Sequence, residues 1–390
     1  MKIVLAPDKF KGSLTATEAA EALAAGIREV LPEAELVLVP VADGGEGTVS
    51  AALGAGFVPR RAAVAGPTGR TLTAEFAVSE DPDGRRTAVI EMAAASGLDV
   101  LPDGVPDARG ATSLGTGQLI RAALDAGCRE IILGVGGSAC TDGGAGMLVG
   151  LGARFTDDAG TDLPLGGAAL ARVAGAELSG LDTRLDDPLR PVTVTLAADV
   201  DNPLTGPSGA AAVFGPQKGA SPSDVTELDD ALARFAAVLG EAAGPAAVRA
   251  KDAPGAGAAG GVGFAALALG ATRRRGIDVV VEFTGLREKL AGADLVVTGE
   301  GSLDAQSLSG KAPVGVAKEA AALGIPTVAV CGRNQIADPA LAGFAAVHAL
   351  TDLEPDLAAC IRDARGLLRR VGNDLAASIV GSKSWKEPVR

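Results

Sequence analysis

Residues 1–40, MKIVLAPDKFKGSLTATEAAEALAAGIREVLPEAELVLVP, carry the pattern that decides the fold. Ile3-Val4-Leu5-Ala6 is a short apolar run that reads as a strand, and Leu36 to Pro40 repeats it. Between them Thr15 to Leu31 has helical periodicity, and Thr15-Ala16-Thr17-Glu18 spells a capping box at its start. Strand, helix and strand make one βαβ unit. Its strand ends lead into Asp8-Lys9-Phe10-Lys11-Gly12-Ser13 and Ala42-Asp43-Gly44-Gly45-Glu46-Gly47-Thr48, and in open α/β sheets ligands collect outside those carboxyl ends.

Working outward, the pattern changes and then returns. Leu72 to Val78 and Arg86 to Met92 alternate like two strands, joined by Glu80-Asp81-Pro82-Asp83-Gly84-Arg85 into an antiparallel hairpin. A helix from Gly117 to Ala126, a buried strand Ile131 to Val135 and an alternating run Val192 to Leu196 follow. From Asp294-Leu295-Val296-Val297-Thr298 the βα alternation resumes, with a helix Pro313 to Leu323 and strands Pro326 to Val330 and Phe344 to Leu350. The economical reading is an α/β protein of two α/β domains. A discontinuous parallel-sheet domain takes residues 1–65 and 286–390, and a mixed-sheet domain, 66–285, is inserted in it; parallel strands can pair across such a gap. Residues 382–388 lack periodicity and read as a tail.

Composition narrows the function. A chain of 390 residues is long enough for two ordinary domains, and its 47% hydrophobic share belongs to a globular protein. No apolar run approaches the roughly 18 residues that span a bilayer, and the early charges of Lys2, Asp8 and Lys9 do not suit a signal peptide, which places the protein in the cytoplasm and off the membrane. Cys128, Cys140, Cys331 and Cys360 form no zinc spacing and read as reduced core residues. A net charge of −13 without a basic cluster argues against nucleic acid, and any anion site must be built locally. The single histidine, His348, lies in an apolar strand-like run, there is no tyrosine and no GxSxG, so serine-triad hydrolysis falls away.

Several glycine-rich or acidic segments compete for the active site. In Val192 to Ser221, VTVTLAADVDNPLTGPSGAAAVFGPQKGAS, Asp199 and Asp201 are two apart, a spacing that in extended chain points both at one ligand, and a glycine loop carries Lys218. An Asx-rich turn with a solvated lysine is the plain alternative. The run from Gly134 through Gly136, Gly137 and Ser138 to Gly146 follows a strand and precedes a helix, as a backbone phosphate site would, or a tight turn. Gly255 to Gly260 matches GxGxxG but no strand precedes it. Thr298 to Pro313 holds Glu300, Asp304 and Lys311; Ala305 and Ala312 exclude a P-loop there and leave an acid-lysine-glycine phosphate site.

Taken in order, Ala6 to Leu14, Ala42 to Thr48, Thr112 to Ile120, Gly136 to Met147, Asp199 to Ala220 and Thr298 to Lys311 closely resemble the bacterial glycerate kinases of the glyoxylate and glucarate pathways, over residues 1 to about 350. Met92 and Ala198 depart from residues more common in that family. The resemblance implies a flavodoxin-like domain with a mixed-sheet domain inserted, and transfer of the ATP γ-phosphoryl with Mg²⁺ to D-glycerate, at the 2-hydroxyl, in a cleft between domains. Asp199 or Asp201 would then hold Mg²⁺, Lys218 and Lys311 would offset phosphate charge, and Lys9 or Lys11 beside Ser13 would take the glycerate carboxylate. Asp43 is expected to accept the hydroxyl proton, with Asp201 second. A nicotinamide-dependent oxidoreductase and a non-catalytic metabolite sensor are the rival readings, and homo-oligomerisation stays open.

Overall fold

A computed structural model describes residues 1–381 other than Pro82, Ala305, Gln306, 308–310 and Ala337. The expected tail, 382–388, and Gly310 of the Gly310-Lys311 pair lie outside the described residues. Two compact units emerge: one comprises residues 1–43, 50–55 and the chain from 277 onward, the other 44–49 and 56–276. In chain order the strands among the described residues are β1 (Lys2–Pro7), β2 (Glu35–Leu38), β3 (Val58–Ala65), β4 (Thr71–Glu80), β5 (Arg86–Glu91), β6 (Glu130–Gly134), β7 (Arg154–Thr156), β8 (Gly175–Glu177), β9 (Thr193–Ala197), β10 (Thr272–Arg274), β11 (Leu295–Leu303), β12 (Thr327–Asn334) and β13 (Ala346–Ala349).

The first unit is a five-stranded, wholly parallel sheet in the order β13-β12-β11-β1-β2. Counted within the unit this is 2-1-3-4-5, the flavodoxin-like winding. The strands read as near-continuous apolar runs because both faces are covered. Ile3 and Leu5 pack under the helices Ala16–Val30 and Ala364–Gly381, while Val4 and Ala6 pack under Gly276–Thr284 and Ala312–Ala322. The capping box forms as expected: Glu18 N–H donates to Thr15 Oγ1 (3.2 Å) and Thr15 N–H to Glu18 Oε2 (3.0 Å).

Two strands outrun their sequence limits. β11 and β12 continue through Thr298-Gly299-Glu300-Gly301-Ser302-Leu303 and Gly332, a stretch whose glycines read as loop. A Cβ on Gly299 would stand 1.9 Å from Val330 O, and one on Gly332 would stand 2.4 Å from Gly301 O. Here glycine serves close backbone approach within a strand rather than a turn.

The second unit centres on a six-stranded sheet, β10-β9-β6-β5-β4-β3, in which the first four strands pair in parallel and β4 pairs antiparallel with both β5 and β3. The hairpin of β4 and β5 stands as expected. β3, which the sequence assigned to the outer segment, pairs along its whole length with β4, so this unit begins near residue 56 rather than 66, and it ends at Gly276 rather than 285. Beyond the sheet, the 22-residue helix Pro222–Ala243 contributes Phe235, whose ring meets those of Phe155 and Phe264 edge to face at 5.2 and 6.0 Å.

Candidate active site

In the first unit the strand order reverses between β1 and β11, and the carboxyl-terminal parts of those strands deliver Asp8 and Glu300. Asp8 is 7% exposed; its amide donates to Gly299 O (2.7 Å), and its Oδ1 accepts from Lys9 N–H (2.6 Å). Burial first, and the Asp43 carboxylate second, push the Asp8 carboxyl well above the ordinary aspartate value, against the pull of Lys9. Burial likewise raises Glu300, while the Ser307 hydroxyl, which donates to its Oε1 (2.6 Å), and the Lys311 charge restrain the shift. Asp304 accepts from Ser307 N–H (3.2 Å), and Lys311 stands at the start of the helix Ala312–Ala322. Lys9 is half-buried, Lys11 exposed, and Ser13 turns its hydroxyl back onto Phe10 O (2.9 Å). Asp8, Asp43, Glu300, Asp304, Lys9, Lys11 and Lys311 therefore belong to one sheet end, where proton acceptors with raised affinity sit among cations.

In the second unit the carboxyl ends of β5, β6, β9 and β10 share one edge. Segment 44–49 lies across it, tied by Glu91 Oε1, which accepts from Gly47 N–H (2.9 Å) and Val49 N–H (2.6 Å). A Cβ on Gly136 would come within 2.6 Å of Gly45 Cα, so the loop after β6 can carry nothing larger there. That loop, Gly136 to Gly144, is organised by Asp142. Its carboxylate is 1% exposed and accepts from Ser113 N–H (2.8 Å), Gly144 N–H (3.1 Å), Gly146 N–H (3.2 Å) and the hydroxyls of Ser113 (2.9 Å) and Thr112 (3.3 Å). One acid thereby satisfies the starts of two helices, Leu114–Asp125 and Ala145–Leu151.

The sequence-derived residues of this unit land differently from expectation. Lys218 is not solvated: it is 1% exposed and donates to Ser138 Oγ (2.8 Å) and Cys140 O (2.6 Å), and burial lowers its proton affinity. β9 ends at Ala197, so the strand alternation meant to aim Asp199 and Asp201 together stops short of both. Each is exposed; Asp199 Oδ1 accepts from Gly276 N–H (2.9 Å), and Asp201 pairs with Arg273 at 2.7 Å. Gly255 to Gly260 leads into a seven-residue helix, Val262–Ala268, through Ala259 at φ 55°. All four cysteines are buried and unpaired, and His348 sits within β13 opposite Val330. Sequence reading passed over Asp8, Asp142, Glu91 and Ser113. A carboxylate closing a buried strand, or standing alone among six glycines, was the available signal.

A doubly wound sheet with carboxylates and lysines at its winding reversal, and a second α/β unit with a glycine loop at its strand ends, define an enzyme that handles a small anionic molecule. Residues 3–380 match the model of the glycerate kinase family. The chain is 44% identical to a glycerate kinase of Bacillus subtilis (strain 168) over 389 residues, 98% of this chain and 99% of the relative. It is 47% identical to a glycerate 2-kinase of Escherichia coli (strain K12) over 334 residues, 85% of each. A crystal structure provisionally named a glycerate kinase 2, from Salmonella typhimurium LT2, superposes with a TM-score of 0.82 at 44% identity, covering 97% of this chain and 98% of that one. The chain belongs to the glycerate kinase family, a family of phosphotransferases. No helix among the described residues is long and apolar enough to cross a membrane.

Proposed function

We propose that this enzyme transfers the γ-phosphoryl group of ATP to the 2-hydroxyl of D-glycerate, giving 2-phosphoglycerate and ADP. The observation that carries the chemistry is Asp8: a buried carboxyl whose proton affinity is raised by burial and by Asp43, at the winding reversal of a parallel sheet, beside Lys9. Such a group suits the removal of a hydroxyl proton as the oxygen attacks phosphorus. Asp8 therefore takes the role first expected of Asp43, and Asp43 supplies the like charge that raises it. Lys9 and Lys11, next to Ser13, hold the substrate carboxylate, and Lys311 offsets phosphate charge in the first unit. In the second unit the loop of Gly136, Gly137 and Ser138 is a backbone site for a nucleotide phosphate. Asp304 and Glu300 orient Lys311 by charge.

Magnesium fits the donors present. Mg²⁺ uses hard oxygens, one or two carboxylates completed by substrate phosphates, and Asp199 and Asp201 are exposed carboxylates following one strand end. When bound it would draw charge off the transferring phosphoryl group. Asp201 is paired with Arg273, so this arginine has to share or release the carboxylate.

The test supplies ATP, Mg²⁺ and D-glycerate and follows glycerate-dependent ADP. With phosphoenolpyruvate supplied, pyruvate kinase and lactate dehydrogenase report ADP; a second reaction contains no added phosphoenolpyruvate and holds enolase but no phosphoglycerate mutase. NADH oxidation is expected in that second reaction too, because pyruvate kinase then draws its phosphoenolpyruvate from 2-phosphoglycerate. No glycerate-dependent ADP in the first reaction sinks the kinase reading, and NADH oxidation that waits for mutase in the second assigns the 3-hydroxyl instead.

A further inference from the structure

Lys218 reaches the core from a short turn, Pro216–Lys218, and meets the loop after β6. An ammonium has three donors and no acceptor. Two are spent on Ser138 Oγ and Cys140 O, and the third has no acceptor among the described residues. Asp142 is the acid whose charge acts on Lys218, yet its oxygens are bonded to Ser113, Thr112, Gly144 and Gly146. A positive charge is thus buried without a carboxylate bonded to it, an expensive arrangement unless something else supplies the negative partner.

The same bond fixes the polarity of Ser138. Because Nζ can only donate, Ser138 Oγ accepts from it, and the hydroxyl's own hydrogen must be given elsewhere. Ser138 is 7% exposed, and that hydrogen has no acceptor among the described residues. Thr141, in the same loop, also has a buried hydroxyl without a hydrogen-bond partner. The backbone of the loop is meanwhile held rigidly: Leu98 N–H donates to Gly137 O (2.9 Å) and Ala139 N–H to Ser96 O (2.8 Å). Unspent donors, fixed backbone and an uncompensated charge all gather at the carboxyl end of β6.

We infer that Lys218 is a positioning residue that holds Ser138 as a hydrogen-bond donor turned away from the lysine, and that Ser138, with this charge behind it, binds an anionic oxygen of a phosphate group. That the phosphate belongs to a nucleotide rests on the reading above; that a phosphate oxygen binds at Ser138 does not. Lys218 then works at one remove, with no need to reach solvent.

The experiment titrates the full-length protein with inorganic pyrophosphate by calorimetry at fixed ionic strength, with thermal unfolding recorded for every variant. Ser138→Ala is expected to weaken binding at least about tenfold, the usual worth of a donor to a charged acceptor, while Ser138→Thr, which keeps the O–H, stays within about threefold. Lys218→Met should lose a similar factor, and the double variant no more than either single one, because lysine and serine act as one unit. Wild-type affinity in Ser138→Ala, equal losses in Ser138→Thr, or multiplied losses in the double variant would each overturn the inference, as would a wild type that binds no pyrophosphate. If Lys218→Met does not fold, the two serine variants decide. Pyrophosphate binding with these losses but without glycerate-dependent ADP would overturn the kinase reading alone.

Discussion

Replacing Asp142 by alanine should be among the most damaging single changes in the second unit. The carboxylate accepts from three backbone N–H groups, those of Ser113, Gly144 and Gly146, and from two hydroxyls. Alanine leaves the three amides at two helix starts without their acceptor at a site only 1% exposed, where water cannot readily substitute. Hydroxyls can rotate to other acceptors, but amides cannot. At about 1–1.5 kcal/mol for each orphaned amide, the loss comes to about 3–5 kcal/mol. Asparagine keeps one oxygen but turns an NH₂ group toward donors, so it should recover less than half of that. Because the protein has two units, global unfolding need not be two-state; hydrogen exchange followed by mass spectrometry across 113–125 and 145–151 reads the local effect directly. Protection in both helices should fall together, by on the order of a hundredfold or more. A loss below about 1 kcal/mol, or loss of protection in one helix only, would refute the idea that one carboxylate serves both starts.

Asp8→Asn should lower kcat by about 10²-fold or more, as removal of a general base does, and should at the same time raise the melting temperature at neutral pH. A buried carboxyl with raised proton affinity favours the folded state below the ordinary value of 3.8, and this contribution is lost as pH rises toward the folded value; the stability gap between variant and wild type must therefore close on going from pH 7 to pH 4, and a gap that widens contradicts the assignment. Ala259 sits at φ 55°, ψ 39°, in the left-handed region. Ala259→Gly should relieve about 1 kcal/mol of strain, partly offset by chain entropy, and leave a net gain of about 0.5 kcal/mol measurable by urea unfolding; a loss would show that the methyl group's packing outweighs the strain.

Much of the architecture was legible because local signals agreed with one another. Thr15 and Glu18 mark a helix start by spacing alone, and the apolar runs around Val4, Val296 and Val328 can only be strands covered on both faces. The errors share one cause, which is that a residue's neighbours across the sheet are invisible in sequence. Gly299 and Gly332 punctuate the chain like loop residues, yet they are strand positions emptied for Val330 O and Gly301 O. Val58–Ala65, with Pro59, Arg60 and Arg61, is assigned by sequence to the outer domain without an element of its own; it is an edge strand of the mixed sheet, where proline and exposed charge are tolerated. Lys218 was legible as important and illegible in role, since nothing in its local sequence distinguishes a solvated lysine from one bonded to a loop 78 residues upstream. Asp8 was overlooked because it reads as the polar end of a strand, and its raised proton affinity comes first from burial and then from the charges of Asp43 and Glu300, all of which depend on the winding of the sheet.

The pairing of β1 with β11 has a consequence for biogenesis. Ile3 stands opposite Leu295, so the central ladder of the first sheet closes a loop of nearly three hundred residues. A chain emerging from the ribosome at about 5–20 residues per second completes the whole second unit before β11 exists. For that interval β1 has β2 on one side and nothing on the other, an unpaired edge that is apolar from Ile3 to Pro7 in a nascent chain. Folding should thus proceed from the inserted unit outward, with late closure of the N-terminal half a window for chaperone binding. Truncated chains ending before residue 295 should show native-like protection in β4, β5 and β6 and little in β1.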